Sequence, residues 1–222
     1  MKTISVNKLK PFMLIDEETR ELFKPLYNIQ TVDKFSIASD GNRAGILYNT
    51  PDHDLNYTFG NCFDMVTSLF KQLQHFTNDN ITYSFIINSK EVLTAIKEQY
   101  KALQVLVKDS TKETIKTYKM ITIIEIDSVT NTLCLSTRTV EKFNLYPLTI
   151  SDQPELYTDF QQLKNLKMET YTASFNTKYL IDFLEFFTGY EQITIHTVGH
   201  RVNPIRCETE DRESVLMPIV IS

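Results

Sequence analysis

The sequence predicts an α+β fold of antiparallel strands and amphipathic helices, on three observations. Short apolar runs with period-two alternation are interleaved with stretches whose apolar residues recur at helical spacing. Brief polar turns join neighbouring strands, which makes those pairs antiparallel. From residue 81 the order reads β-α-β-β-(loop)-β-α-β-β-β, closing on the apolar run Ser214-Val215-Leu216-Met217-Pro218-Ile219-Val220-Ile221.

In chain order, residues 1–14 alternate loosely and read as one or two short strands. Asp16-Glu17-Glu18-Thr19 opens a helix to about Pro25, because acidic residues in a first turn favour the positive end of the helix dipole. Residues 35–48 read as two strands joined at Ser39-Asp40-Gly41-Asn42, a hairpin signal. Residues 62–76 read as a helix with Phe63, Val66, Leu69, Phe70 and Leu73 on one side, and a turn at residues 77–80 is the expected domain boundary. This gives an N-terminal unit, 1–78, and a C-terminal domain, 79–222.

In the second unit residues 81–87 form a strand, and Ser89 is the expected N-cap of a helix to about Gln104. Residues 108–119 read as a loop. Residues 120–126 and 132–137 pair as a hairpin. Residues 146–166 read as a long loop with a short helix. Residues 168–174 lead into a helix at Asn176, followed by a strand at 192–198 and a loop, Asn203-Pro204-Ile205-Arg206. Proline has no N–H for a ladder, so the last strand is expected on an edge or at a bulge, where it would suit capture of an extended peptide.

With 222 residues, 42% hydrophobic and 23% charged, the chain has a globular composition and buries roughly 70% of its unfolded surface. A net charge of −5 argues against a broad basic nucleic-acid surface, though an acidic ring with lysines on its inner wall is compatible with it. Cys62, Cys134 and Cys207 have no paired spacing, and Met1-Lys2-Thr3-Ile4-Ser5 is not a secretory signal. Reduced thiols and a cytoplasmic location are therefore expected. No apolar run approaches membrane-spanning length.

Phe175-Asn176-Thr177-Lys178-Tyr179-Leu180 and Val215-Leu216-Met217-Pro218 follow one another at a spacing that resembles the C-terminal end of the bacterial DNA polymerase III β subunit, the sliding clamp. In that family an FN-x-x-YL helix start precedes two or three strands and a closing MP strand. Glu18-Thr19-Arg20 and Ala38-Ser39-Asp40-Gly41-Asn42-Arg43-Ala44 are similar to the ETRP and ATDGHRLA stretches of its middle domain, with Asn42 in place of His and Ala44 in place of Leu. Residues 84–97 and 121–138 resemble the opening half of its third domain. The resemblance covers the third domain and the first half of the second. It implies a DNA-clamp-like α+β fold, antiparallel sheets with paired helices on one face.

It also implies a groove for short linear peptides of polymerases and clamp loaders, lined by Ser39, Gly41, Arg43, Asn176, Tyr179, Val215, Leu216, Met217 and Pro218. Apolar side chains would receive Leu or Phe anchors, and Met gives an adaptable surface. The plainer reading makes Val215 and its neighbours a buried strand and Tyr179 a core aromatic. Lys90, Lys97, Lys101 and Lys108 would face double-stranded DNA without sequence specificity; an ordinary solvated helix face, diluted by Glu91 and Glu98, explains them as well.

His196 and His200 with Cys207 lack the tight pairing of zinc ligands, and Asp52-His53-Asp54 has no second carboxylate motif. No nucleophile motif or phosphate-cradling glycine loop is present, so neither catalysis nor a cofactor is expected. The expected function is a sliding-clamp-like processivity or accessory factor, a trimer if a two-domain chain closes a ring. The rival is a non-ring clamp remnant acting as a peptide-binding adaptor or decoy.

Overall fold

The structure, a computed structural model, describes residues 5–13, 28–32, 35–48, 81, 83–109, 118–127, 129–130, 132–141, 147–148, 155–157, 161–165, 170–198 and 203–219. The helices expected at 16–25 and 62–76, the Asp52-His53-Asp54 stretch and the boundary at 77–80 lie outside them. No helix among the described residues is long and apolar enough to cross a membrane.

The first element corrects the expectation of N-terminal strands. Val6–Phe12 is a 3-10 helix, with Ser5 at its N-cap accepting from the Asn7 amide at 3.3 Å. Leu9 and Phe12, both fully buried, are three residues apart, the 3-10 period and not the strand period. They press on the next strand pair so closely that a Cβ on Gly45 would lie 2.9 Å from the Phe12 ring.

That pair is the expected hairpin. Strands β1 (Gln30–Val32), β2 (Phe35–Ser39) and β3 (Arg43–Tyr48) form a meander. The β2–β3 turn holds Gly41 at φ +88°, a left-handed conformation that glycine adopts without steric cost. After β4 (Tyr83–Asn88) comes helix α1 (Ser89–Asp109). Its cap is one residue earlier than expected: Asn88 Oδ1 accepts from the amides of Lys90 and Glu91 at 3.2 Å, while Ser89 Oγ donates to the Tyr190 carbonyl at 2.5 Å.

Strands β5 (Tyr118–Asp127) and β6 (Thr132–Glu141) make the predicted second hairpin, longer at both ends. The long loop with a helix expected at 146–166 instead contains three short strands, β7 (Pro147–Leu148), β8 (Glu155–Tyr157) and β9 (Gln161–Asn165). Their sequences show no alternation; long-range pairing with β6 and β4 sets their conformation. Strand β10 (Thr170–Asn176), helix α2 (Thr177–Phe186), β11 (Gln192–Thr197), β12 (Ile205–Glu208) and β13 (Arg212–Leu216) complete the chain. The loop expected through Arg206 therefore stops at Pro204.

The strands pair antiparallel in two sheets, β1-β2-β3-β13-β12-β11-β4-β9 and β10-β5-β6-β7, with β8 also on β6. Strand β13 is thus interior, between β3 and β12, and the expected edge position is wrong. The ladder ends at Leu216, so Pro218 lies beyond it and removes no donor from it. The β3–β13 ladder joins a strand before the expected boundary to one after it. One core runs through both parts, with Leu9, Phe12, Ala38 and Leu47 clustered with Phe85, Ile195, Tyr171, Phe175, Phe183 and Leu216. Helices α1 and α2 pack side by side, bridged by Lys97 and Glu185 at 2.6 Å.

The sheet face turned away from α2 carries a buried charge ladder. Glu213, 1% exposed, accepts from Tyr48 Oη and Arg206 Nε, each at 2.5 Å, and Arg206 also meets Glu208 at 2.6 Å. Burial and then the Glu213 charge push the Tyr48 phenol well above its ordinary range.

Candidate functional site

The nine residues expected to line a peptide groove converge on one seam. Register places Leu216 opposite Arg43 and Val215 opposite Ala44, so the last strand lies against the hairpin. Past the ladder, the Met217 amide donates to the Asn42 carbonyl at 2.8 Å, and the Ile219 amide donates to the Ser174 carbonyl at 2.6 Å. The chain leaving β13 is thereby tied to both sheets.

The hairpin turn is held from within. Ser39 Oγ donates to the Arg43 carbonyl at 2.8 Å and accepts from the Gly41 amide at 3.1 Å, and Asp40 Oδ1 accepts the Asn42 and Arg43 amides at 3.0 and 3.1 Å. Asn176 caps α2, its Oδ1 accepting from Lys178 and Tyr179 amides at 3.0 and 3.3 Å. This cap fixes where Tyr179 emerges.

Arg43 is the hub. Its Nε meets Asp40 Oδ2 at 2.9 Å, Nη1 meets Asp182 Oδ2 at 2.5 Å, and Nη2 donates to the Pro11 carbonyl. The guanidinium carbon lies 4.0 Å from the centroid of the Tyr179 ring, a cation–π contact. Burial raises the Asp40 carboxyl above its ordinary pKa against the opposing pull of Arg43. Burial, then the Asp40 charge, raises the Tyr179 phenol.

Accessibility divides the nine residues. Val215 and Leu216 are fully buried, Ser39 is 2% and Arg43 4% exposed, so these four support the seam from beneath. Gly41 is exposed, while Asn176, Tyr179, Met217 and Pro218 are half-buried. Exposed Asn42 and half-buried Ile219 join them. Sequence reasoning missed Pro11, Phe12 and Asp182. Asp182 had a visible signal: a carboxylate inside the apolar run Leu180-Ile181-Asp182-Phe183-Leu184 needs a buried partner.

The second expected surface is the lysine stripe. At about 100° per residue, Lys90, Lys97, Lys101 and Lys108 fall within about 20° of one line along α1. Lys90 and Lys101 are exposed, Lys97 is engaged with Glu185, and the Lys108 side chain lies outside the described residues. Glu91 and Glu98 are exposed beside them. A cleft of about 820 Å³ separates the start of α1 from the turn after α2, lined by Lys90, Glu91, Glu98, Tyr190 and Glu191 among others.

Among the described residues no three His, Cys, Asp or Glu side chains are grouped to hold a metal. His196 Nδ1 lies 2.7 Å from Ser84 Oγ, Cys207 is fully buried in the core, and His200 is outside the described residues.

No protein-family model and no curated protein matches this sequence. Solved structures do. A DNA polymerase III β subunit-like protein from Eubacterium rectale is 15% identical with a TM-score of 0.63, over 96% of this chain and 62% of that one. The Bacillus subtilis sliding clamp is 14% identical at 0.62, over 97% and 61%. The Thermotoga maritima DNA polymerase III β subunit is 12% identical at 0.61, over 98% and 62%. The chain therefore spans about three fifths of the length of these clamps. Over nearly all of its own length it has the fold of a bacterial DNA sliding clamp.

Proposed function

We propose that this chain is a sliding-clamp-like processivity or accessory factor of DNA replication that captures short linear peptides of a polymerase or clamp loader. The observation that supports the reading is the seam itself, where the Ser39–Arg43 hairpin and the Met217–Pro218 segment, 170-odd residues apart in sequence, meet through the Asn42–Met217 hydrogen bond. Half-buried Tyr179, Met217 and Pro218 offer an extended peptide apolar contact. The role is topological and not chemical: DNA is held by enclosure, without sequence readout, in a cytoplasmic setting with no membrane partner.

Two measurements test this. A fluorescein-labelled hexapeptide with Leu and Phe anchors should bind with saturable polarisation, and the same peptide with both anchors changed to Ala should not; equal binding would defeat peptide capture. Light scattering at several concentrations reads the ring, for which three chains of 25.8 kDa are expected. A monomer throughout would leave the second reading, a peptide-binding adaptor or decoy that encircles nothing. The pairing of Lys97 with Glu185 and the exposure of Glu91 and Glu98 beside the lysine stripe favour that second reading over a strongly DNA-attracting wall.

A further inference from the structure

The two walls of the seam come from opposite ends of the chain, and one buried carboxylate lies at the joint between them. Asp182, 4% exposed, sits in α2 among Ile181, Phe183 and Leu184. One oxygen accepts from Arg43 Nη1 at 2.5 Å, and the other from Lys178, whose side chain is 57% exposed. Arg43 passes the constraint on. Its Nε holds Asp40, which receives the Asn42 amide, and the Asn42 carbonyl receives the Met217 amide. Its guanidinium lies over the Tyr179 ring. From Asp182, an unbroken run of contacts reaches the Tyr179 ring and the Asn42–Met217 junction.

Two carboxylates, Asp40 and Asp182, balance two cations, Arg43 and Lys178. Replacing a buried ion pair by apolar side chains of the same volume is often neutral for stability, whereas removing one partner strands a charge. Such a cluster therefore contributes geometry more than stability. A single Leu at 182 would fill the space but leave Arg43 Nη1 without its anionic partner, loosening the guanidinium over the Tyr179 ring.

We infer that Asp182 is a positioning residue of the seam, fixing through Arg43 both the Tyr179 ring and the Asn42–Met217 junction. The inference deepens the peptide-capture reading and rests on it for its consequence, but not for its geometry.

The experiment compares the whole chain with Asp182→Asn and Asp182→Glu, by hydrogen exchange of individual amides and by titration of the Leu/Phe hexapeptide. In Asp182→Asn the Met217 amide should exchange about tenfold faster while Ile124, in the β5–β6 ladder, is unchanged; hexapeptide affinity should fall about tenfold as well. Asp182→Glu keeps the charge but displaces it by one methylene, and should fall between the two; it also serves if the Asn variant does not fold. Unchanged exchange at Met217, or equal acceleration at Met217 and Ile124, would overturn the positioning role. If the unaltered protein does not distinguish the hexapeptide from its Ala control, the peptide reading fails, and the Met217 exchange still decides the role of Asp182.

Discussion

The two helices differ in a way that their lengths conceal. Helix α1 has twenty-one residues and lays one side, Val92, Ile96 and Leu103, on the core while Lys90, Glu91, Thr94, Glu98 and Lys101 stand in solvent. Helix α2 has ten residues and buries seven, including Thr177 and Asp182. It touches β3, β5, β10, β13 and the 3-10 helix, so it has almost no free face. Its two buried polar side chains, Thr177 and Asp182, are accordingly both partnered. Thr177 accepts from Thr122 at 3.1 Å, and at the far end Arg212 Nη1 donates to the Phe186 carbonyl at 2.6 Å and Lys8 to the Thr188 carbonyl at 3.2 Å. Cations there satisfy otherwise orphaned carbonyls and complement the helix dipole. Length, then, is a poor guide to structural weight: the shorter helix positions the seam, and the longer one supplies surface.

Substitutions can break this contrast, the strongest first. Phe183→Ala in α2 removes a fully buried ring held edge-on to Phe187 at 5.6 Å, and should lower urea-unfolding stability by about 3–5 kcal/mol. A loss under about 1 kcal/mol would mean that α2 is not the keystone described here. Asn176→Ala deletes the cap and should cost about 0.5–2 kcal/mol, with peptide binding weakened because Tyr179 loses its fixed point of emergence.

The next effect depends on pH. Burial alone would raise the Asp211 carboxyl, but hydrogen bonds and charge from Arg212, with donors from Tyr190 and Thr209, outweigh it and leave the group below its ordinary 3.8. A lowered folded-state pKa adds stability that is present above the unfolded value and disappears as pH falls through the folded one. Asp211→Asn should therefore lower the melting temperature at pH 7, by an amount equivalent to at most about 1 kcal/mol after solvent screening, and the difference should disappear as pH falls through the lowered folded-state value. A constant difference across that range would show that Asp211 does not hold Arg212 at the end of α2 through its charge. The smallest effect belongs to α1. Lys97→Ala removes an ion pair whose side chains are 38% and 42% exposed, and chemical denaturation should register about 0–1 kcal/mol.

How far the sequence could be read follows the same division. Helix α1 was legible because one side alone is buried, and Val92, Ile96 and Tyr100 keep the helical period; only its cap was misplaced, by one residue, since Asn88 and Ser89 are both good capping types. The Gly41 turn was legible because few residues adopt its backbone conformation. Of the run 214–221, only the part up to Leu216 is strand, and its interior position was not legible: composition reports burial, and the neighbours of a strand are chosen by chain segments far away. Pro218 pointed to an edge only on the assumption that the ladder reached it. Strands β7 to β9 carry no local signal and exist by virtue of their partners. At the seam, the resemblance named half-buried Asn176, Tyr179, Met217 and Pro218 but not half-buried Ile219, and Asp182 needed a partner 139 positions distant before its placement made sense.

The ladder between β3 and β13 joins segments from either side of the expected boundary into one sheet. A chain cut anywhere between Tyr48 and Ile81 would leave one fragment ending its sheet on bare β3 and the other presenting bare β13, with Gly45 opposite Ser214 and Ala44 opposite Val215 in a fixed register. Such fragments are complementary by construction, like the separated parts of a split reporter. Co-expressed, they would reassemble through five cross-strand pairs and a shared apolar core, and neither would keep the seam alone.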